Sequence, residues 1–370
     1  VLYSIIDRMY IGNIEGIGNL ALAGVGICGP IVSLLSSFGT LIGLGGSILM
    51  AMKLGEGNKK RASQILSNCF LMLTVFSLFL TILFLILKDD LLMWFGASDI
   101  TFPYANTYLT IYTAGTFFAL MAMGLNYFIT CQGFSNVGMA TVVVGACTNI
   151  VLDPIFIFGF HMDVAGAALA TVIAQFASCA FAIGFLFSKR VPVRISFGNY
   201  SKKIMKRVLT LGLSPFLILA TDSIIIIVLN TVLQKYGGPS EGDMLISCAT
   251  IVQSYLMLIT GPMLGISGGT QAIISYNYGA RSSARVKTLS YLYHHHVFIF
   301  TNFSAIFCLC LYKRSCLSGT VCLGYQSIHT GDHPSQFSVC ICRWADSAGM
   351  YQNFPLSFSV SENFICIIYH

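Results

Sequence analysis

Long uncharged stretches, separated by short polar segments, divide the chain. Residues 62–87 hold no charged side chain, and these 26 residues in a helix can span a hydrocarbon core about 30 Å thick. A charge at the bilayer centre costs roughly 2.5–3.5 kcal/mol on insertion scales, so charged residues mark the ends of spans. The pattern predicts membrane helices at about 1–14, 20–52, 62–87, 104–131, 136–160, 164–188, 208–235 and 244–280.

The composition agrees with this pattern. Hydrophobic residues make up 56% of the 370-residue chain and charged residues only 9%, against about 25% in soluble proteins. The mean hydropathy is +0.79, and 35 glycines suit closely packed membrane helices. A water-soluble globular protein is therefore excluded, and a secreted disulfide scaffold is disfavoured. The first stretch is too short to cross a bilayer, and we interpret it as the second half of a truncated first helix.

The basic residues lie mainly in alternate loops. Fourteen Lys and Arg residues follow the second, sixth and eighth spans, whereas the intervening loops hold only Lys88 and Lys235. Positive loops face the cytoplasm, so the long basic segment 189–207 is predicted to be cytoplasmic. The net charge of +6 thus indicates membrane topology, and no nucleic-acid partner is expected.

An internal repeat is visible as matching residues 224 positions apart, each after a long glycine-rich span. The matches are Gly45 with Gly269, Gly55 with Gly279, and Arg61 with Arg285. Asp7 has a similar counterpart in Asp222, 215 residues later. Transporters are often built from two related halves, so a parallel repeat of six helices per half is predicted.

The last part of the chain breaks this repeat. After Lys287 come seven of the 13 cysteines and six of the seven histidines, without the spacing of a zinc site. We interpret this tail as the product of a changed reading frame and expect no metal site there. The predicted organisation is a six-helix amino lobe (1–188), a linker (189–207), the start of a carboxy lobe (208–287) and an aberrant tail (288–370).

Three acids stand inside otherwise apolar spans: Asp7, Asp153 and Asp222. Acids in such positions are costly and are usually functional. Asn149 lies one turn before Asp153 on the same helical face, and Pro154 frees a backbone carbonyl one turn back. A carboxylate, an amide oxygen and a freed carbonyl can bind a small cation, so Asp7 and Asp153 are predicted to exchange a proton or Na⁺.

Other polar or aromatic side chains within the spans are weaker candidates. Thr171 and Gln175 form a polar pair one helical turn apart, and Asn126 is a lone amide in the fourth span. A stripe of tyrosines at i, i+4 and i+8 can hold an organic cation by cation–π contact: Tyr104, Tyr108 and Tyr112. The alternative is structural, with interhelical hydrogen bonds for the acids and amides and simple packing for the tyrosines.

The common sequence motifs of ATP-binding proteins and hydrolases are missing from the sequence. It contains no G-x-x-x-x-G-K-[ST] loop for ATP phosphates, and no H-E-x-x-H or G-x-S-x-G pattern. An enzyme and an ATP-driven pump are therefore not expected.

Four segments resemble the multidrug and toxin extrusion (MATE) family of secondary transporters, most closely its bacterial branch. They are IIDRMYIGNIEGIGNLALAGVG at 5–26, MKLGEGNKKRA at 52–62, NIVLDPIFIFGFHMDVAGAALATVIAQ at 149–175 and QAIISYNYGARSSARV at 271–286. The resemblance covers about residues 1–287. It implies an all-α membrane protein with two lobes of six helices, here truncated at helix 1 and disrupted after helix 8.

The resemblance also implies a function. MATE proteins export amphipathic, often cationic, drugs in exchange for H⁺ or Na⁺, with no other cofactor, and we expect a monomer in a bacterial inner membrane. The cation site carries over onto Asp7, Asn149, Asp153 and Thr171, and the substrate-cavity candidates are Asn126, Gln175, Asp222 and Tyr112.

Two rival interpretations stay open. A lipid-linked oligosaccharide flippase of related fold would need a cationic cavity for pyrophosphate, but Arg8 is the only cation away from the ends of the predicted spans. The second rival is a truncated, frame-shifted product that inserts into the membrane without functioning.

Overall fold

A computed structural model describes the backbone of residues 2–293, with side chains from residue 6 onward apart from stretches between 239 and 263. Every regular element in this part of the chain is helical. The helices are α1 (Leu2–Gly12), α2 (Gly18–Gly55), α3 (Lys59–Trp94), α4 (Phe102–Ala114), α5 (Thr116–Thr130), α6 (Ser135–Pro154), α7 (Asp163–Phe187) and α8 (Lys202–Gly279). A π-helical turn (Ile155–Gly159) follows α6, and residues 283–293 are helical.

The lengths and hydropathies of these helices suit a membrane. Among the described residues, five helices are long and apolar enough to cross a bilayer, and α4 with α5 makes a sixth if counted as one bent span. The predicted all-α membrane fold is therefore confirmed, with spans close to those expected from the positions of the charges.

One predicted span, residues 104–131, is bent. Its two parts, α4 and α5, meet at Gly115 at an angle of 57°. A methyl group added to Gly115 would lie 2.6 Å from Cγ2 of Val172 on α7. The bend therefore coincides with a point where α7 presses against the span, and a side chain at position 115 would require Val172 to shift.

Helix α8 doubles back on itself. Gly212 packs on Leu41 of α2, whereas Gly279, 67 residues later, packs on Met52 of the same helix. A straight helix would place Gly212 and Gly279 about 100 Å apart. The chain therefore reverses direction between them.

The reversal is tighter than the sequence indicated. The sequence left residues 236–243 between the predicted spans 208–235 and 244–280, but Gly238 is the one residue of α8 with a non-helical backbone (φ 63°, ψ −167°). Glycine adopts this conformation readily. Pro239 comes next in the sequence, a residue that is tolerated in the first turn of a helix.

Helices α2 and α3 have opposite roles in the packing. In its most apolar window α2 is 67% buried, and α3 is only 28% buried. The side of α3 that other helices leave uncovered carries large apolar side chains, namely Val75, Leu78, Phe79, Ile82 and Ile86. We therefore take α2 as the central helix and α3 as a helix that faces lipid.

The hydrophobic core of the amino-terminal half surrounds Phe128 and takes residues from α2, α3, α5 and α7. Val191, Val193 and Ile195, from the segment between α7 and α8, belong to the same core. The predicted linker is thus packed on one side. The division into two lobes, linker and tail stays a prediction, and of the proposed tail, residues 294–370 lie outside the described residues.

Candidate functional site

The four residues predicted to form a cation site come from three helices. Asp7 lies on α1, Asn149 and Asp153 on α6, and Thr171 on α7. Asn149 and Asp153 are one turn apart, which places both side chains on the same face of α6. Asp7, Asn149 and Asp153 are almost completely buried.

Hydrogen bonds connect three of these side chains. The Asn149 amide Nδ2 donates to Asp153 Oδ1 at 3.0 Å and lies 3.5 Å from Thr171 Oγ1. Helix α1, which carries Asp7, packs on α6 and α7, and this places the Asp7 carboxylate within electrostatic reach of Asp153. The structure therefore brings the four predicted residues into one cluster, which we call the acidic cluster.

Pro154 shapes the end of α6 next to this cluster. It has no N–H to donate to the carbonyl of Ile150, one turn earlier, and the helix continues as the π-helical turn. Departures from regular helix of this kind often occur at functional sites. The local backbone thus matches the expectation from the Asp-Pro pair.

Three oxygen atoms of the acidic cluster are buried and have no hydrogen-bond donor among the described residues. They belong to Asp7 (Oδ1), Asn149 (Oδ1) and Asp153 (Oδ2). Leaving a buried acceptor unsatisfied costs about 1–3 kcal/mol, and more when it is charged. A proton or a small hard cation satisfies such oxygen atoms, and acidic residues inside membrane spans mark ion pathways and proton relays in transporters. The residues present therefore fit a bound H⁺ or Na⁺.

Two further residues border the cluster that were not assigned to it from the sequence. Tyr108 of α4 is buried near Asp7 and Thr171, and its ring stacks on Tyr112 with centroids 6.2 Å apart. Arg8 is half-buried and donates from Nη1 to the carbonyl oxygen of Thr250 on α8, at 3.0 Å. The tyrosine spacing signalled Tyr108, but no sequence pattern tells towards which helix Arg8 points.

The other candidates are distributed differently. Gln175 lies one turn beyond Thr171 on α7, with a buried Oε1 that has no donor among the described residues. Asn126 donates to the carbonyl oxygen of Gly138 at 2.7 Å, and Gly138 lies eleven residues, or about 16 Å, from Asn149 along α6. Asn126 therefore joins α5 to α6 outside the acidic cluster.

Asp222 is separate from the cluster as well. It is exposed on the first half of α8, within the part of the chain that the structure describes. Its assignment to the substrate cavity, like those of Asn126, Gln175 and Tyr112, stays a prediction.

Comparisons with known proteins find relatives that are named as multidrug export proteins. The MatE family model matches residues 1–155. The multidrug export protein MepA of Staphylococcus haemolyticus is 25% identical over 313 residues, which cover 84% of this chain and 66% of that protein. MepA of Staphylococcus aureus is 26% identical over 282 residues, covering 76% of this chain and 61% of that protein. The chain thus spans less than two thirds of the length of these relatives.

Solved structures give the same result. The MATE multidrug transporter DinF-BH has a TM-score of 0.80 and 29% identity, covering 88% of this chain and 73% of that one. An inward-facing multidrug resistance MATE family transporter of the MOP superfamily has a TM-score of 0.68 and 28% identity, covering 83% and 69%. A chain described as protein A has a TM-score of 0.77 and 31% identity, covering 83% and 68%.

These relatives are transporters and not enzymes, as expected from the sequence. The apolar helices, the cluster of buried oxygen atoms and both kinds of comparison converge on one assignment, which confirms the resemblance seen in the sequence. The chain is a multi-pass membrane protein of the multidrug and toxin extrusion (MATE) family.

Proposed function

We propose that the protein exports amphipathic organic cations in exchange for H⁺ or Na⁺, by alternating access. The observation that carries this proposal is the acidic cluster, in which buried oxygen atoms of Asp7, Asn149 and Asp153 have no donor among the described residues. The names of the relatives support drugs as substrates, since MepA is a multidrug export protein and DinF-BH is a multidrug transporter.

The coupling cation acts on the repulsion between Asp7 and Asp153. Two carboxylates in an apolar surrounding repel each other strongly, because the low dielectric weakens the field little. A proton or Na⁺ at the pair removes that repulsion and allows α1 and α6 to approach. Asn149 and Thr171 supply neutral oxygen atoms that complete the binding site.

Export then depends on competition between the cation and the drug. If binding of the cation lowers the affinity for the drug, binding of the drug must lower the affinity for the cation by the same factor. Cation binding from outside therefore releases the drug there, and the lobes rock back around the midplane.

The drug itself needs apolar and aromatic contacts. The stacked pair Tyr108 and Tyr112 offers two ring faces of the type that bind organic cations. Both rings are buried in this structure, so we expect drug contact only after α1 or α4 has moved. A pyrophosphate-linked lipid is a poorer substrate, because a pyrophosphate needs cationic side chains. The guanidinium of Arg8 already donates a hydrogen bond to the carbonyl oxygen of Thr250.

The location follows from the charges. Segment 189–207 lies in the cytoplasm, because the loops on that side carry fourteen of the basic residues. The bacterial inner membrane and the monomeric state are what the family resemblance implies.

The test is efflux of ethidium, a fluorescent organic cation, from bacteria that lack their own exporters and express the 370-residue chain. Asp153→Asn keeps the volume of the side chain but removes its charge, so we expect cation-driven efflux to disappear while membrane insertion is unchanged. Asp163→Asn is the matched control. Asp163 is exposed, and its backbone (φ 48°) suits asparagine equally well. Undiminished coupled efflux in Asp153→Asn would contradict the proposal.

A further inference from the structure

We propose that residues 189–203, here called the basic strap, bind anionic phospholipid headgroups at the cytoplasmic surface of the bilayer. This inference concerns a surface away from the acidic cluster and does not require drug export. It rests on how the strap is fixed, on its charge and on its exposed aromatic rings.

The strap is packed onto the amino-terminal half through every second residue. Val191, Val193 and Ile195 are buried, whereas Pro192 and Arg194 between them are exposed. Extended chains place alternate side chains on opposite sides. The strap therefore has one apolar side on the protein and one side open to its surroundings.

Hydrogen bonds to side chains of neighbouring helices and loops hold the strap in this position. The Val193 N–H donates to Gln132 Oε1 at 2.9 Å, and the Ser201 N–H donates to Asn68 Oδ1 at 2.8 Å. Ser196 Oγ lies within hydrogen-bond distance of two serine hydroxyls of α3, on Ser63 and Ser67. These contacts fix which side chains point outward.

The outward side is basic. Its exposed cations are Lys189, Arg190, Arg194, Lys202 and Lys203. No acidic residue occurs in the sequence between Asp163 and Asp222. A cluster of four to eight basic residues next to a membrane helix is typical of binding to anionic lipid.

The start of α3 adds to the same surface. Gln64 Nε2 donates to the carbonyl oxygen of Asn199 at 2.8 Å, which brings the first turn of α3 beside the strap. That turn carries three more exposed cations, Lys59, Lys60 and Arg61.

Two aromatic rings on the strap point to a bilayer and not to a soluble anion. Phe197 is 69% exposed and Tyr200 is 47% exposed, directly between the arginines and the lysines. Large apolar rings exposed to water are unfavourable, and tyrosine is enriched at the level of the headgroups. Phe187, at the end of α7, is also exposed, and its ring centroid lies 6.3 Å from that of Phe197.

A topology signal alone does not account for this arrangement. Positive charge orients a membrane protein whether or not the loop has a defined conformation. Ordering a segment costs roughly 1–2 kcal/mol per residue in backbone entropy. A fixed strap with charges and rings on one side is instead what a binding surface requires.

The experiment uses the purified 370-residue protein in neutral detergent. The midpoint of thermal unfolding is followed while phosphatidylglycerol, phosphatidylcholine or inorganic phosphate is added. We expect phosphatidylglycerol alone to raise the midpoint. In Arg190→Gln/Arg194→Gln, the amount of phosphatidylglycerol needed for half the effect should rise about fivefold for each arginine removed.

Matched variants separate this surface from general charge effects. Arg281→Gln/Arg285→Gln removes the same charge from exposed positions outside the strap and should leave the titration unchanged. Arg190→Lys/Arg194→Lys keeps the charge and should keep most of the effect. Tyr200→Ser should weaken phosphatidylglycerol binding, since the ring is expected to enter the headgroup layer. The proposal is wrong if the 281/285 pair behaves like the strap pair, or if inorganic phosphate reproduces the stabilisation.

Discussion

Gly55 and Gly279 pack against each other's helices by a reciprocal contact. A methyl group on Gly55 would collide with the carbonyl oxygen of Tyr276, and one on Gly279 would collide with the carbonyl oxygen of Met52. Both Gly55 with Gly279 and Met52 with Tyr276 are 224 positions apart, the period of the internal repeat. Gly55 thus meets Tyr276, and their counterparts Gly279 and Met52 meet in the same way. This is the reciprocal pattern of contacts found across a two-fold axis.

This reciprocity gives the sequence repeat a structural basis. Small residues allow membrane helices to approach until their backbones touch. The equivalent glycines of the two halves therefore meet at one place, where α2 and the second part of α8 are in contact.

Adding a methyl group at this contact should destabilise the protein. We expect Gly55→Ala or Gly279→Ala to lower the free energy of unfolding by about 1–3 kcal/mol, the usual cost of overpacking. Denaturant unfolding measured by circular dichroism checks this. Gly184→Ala is the control, because a methyl group there meets no atom within 4 Å. If Gly184→Ala loses as much free energy of unfolding as Gly55→Ala and Gly279→Ala, the contact between the two glycines has no special role.

Removing the hydroxyl of Thr171 should weaken cation binding. Thr171→Val keeps the shape of the side chain but deletes an oxygen atom of the acidic cluster. We expect the cation concentration that half-activates ethidium efflux to rise about fivefold, equivalent to about 1 kcal/mol. Thr148→Val is the control, since the hydroxyl of Thr148 donates within its own helix to the carbonyl oxygen of Val144, at 2.8 Å. The same shift in both variants would argue against a role for Thr171 in the cation site.

Arg8 should stabilise the contact between α1 and α8. Arg8→Gln removes a charged donor from the carbonyl of Thr250, and hydrogen bonds of this kind contribute about 1.5–3 kcal/mol. We expect Arg8→Gln to lower the midpoint of thermal unfolding, and Arg8→Lys to lower it by a smaller amount. The control Arg61→Gln changes an exposed arginine and should leave the midpoint unchanged.

The same measurement tests whether Arg8 and Asp7 interact. The two residues are adjacent on α1 and carry opposite charges, so we expect them to attract each other. The double variant Asp7→Asn/Arg8→Gln should therefore lose less stability than the sum of the two single variants. Strict additivity would show that the two side chains are independent.

The topology can be measured by labelling. In a background without native cysteines, Lys202→Cys should react with an impermeant thiol reagent only after the cells are opened. Lys235→Cys should react in intact cells, because its loop is predicted to lie outside. The reverse pattern would invert the topology.

The positions of the helices could be predicted because charges are expensive inside a bilayer. The gaps between charges therefore gave α2, α7, and α6 with its π-helical turn to within three residues at each end. Helix α3 runs to Trp94, seven residues past its predicted end, because a helix can continue through charged residues once it has left the bilayer. The bend at Gly115 could not be predicted in this way, since it coincides with the close approach of Val172, which belongs to another helix.

The candidate site was predictable for a similar reason. Asp7, Asn149 and Asp153 are polar in apolar surroundings, and their spacing places two of them on one face. Arg8 and the basic strap were not assigned. The direction of the Arg8 side chain depends on where α8 packs, which the sequence does not show. The alternation of Val191, Val193 and Ile195 was visible in the sequence, but it lay in a segment that was interpreted as a simple linker.

The lipid-facing side of α3 has a consequence for the surrounding bilayer. Its uncharged stretch, residues 62–87, is about 39 Å long, whereas the hydrocarbon core is about 30 Å thick. Such a mismatch is relieved by tilting the helix or by thickening the nearby membrane. Because the buried side of α3 belongs to the same hydrophobic core as α2, a tilt of α3 must involve its neighbours. We therefore expect the stability of the whole amino-terminal half to vary with the acyl-chain length of the lipids.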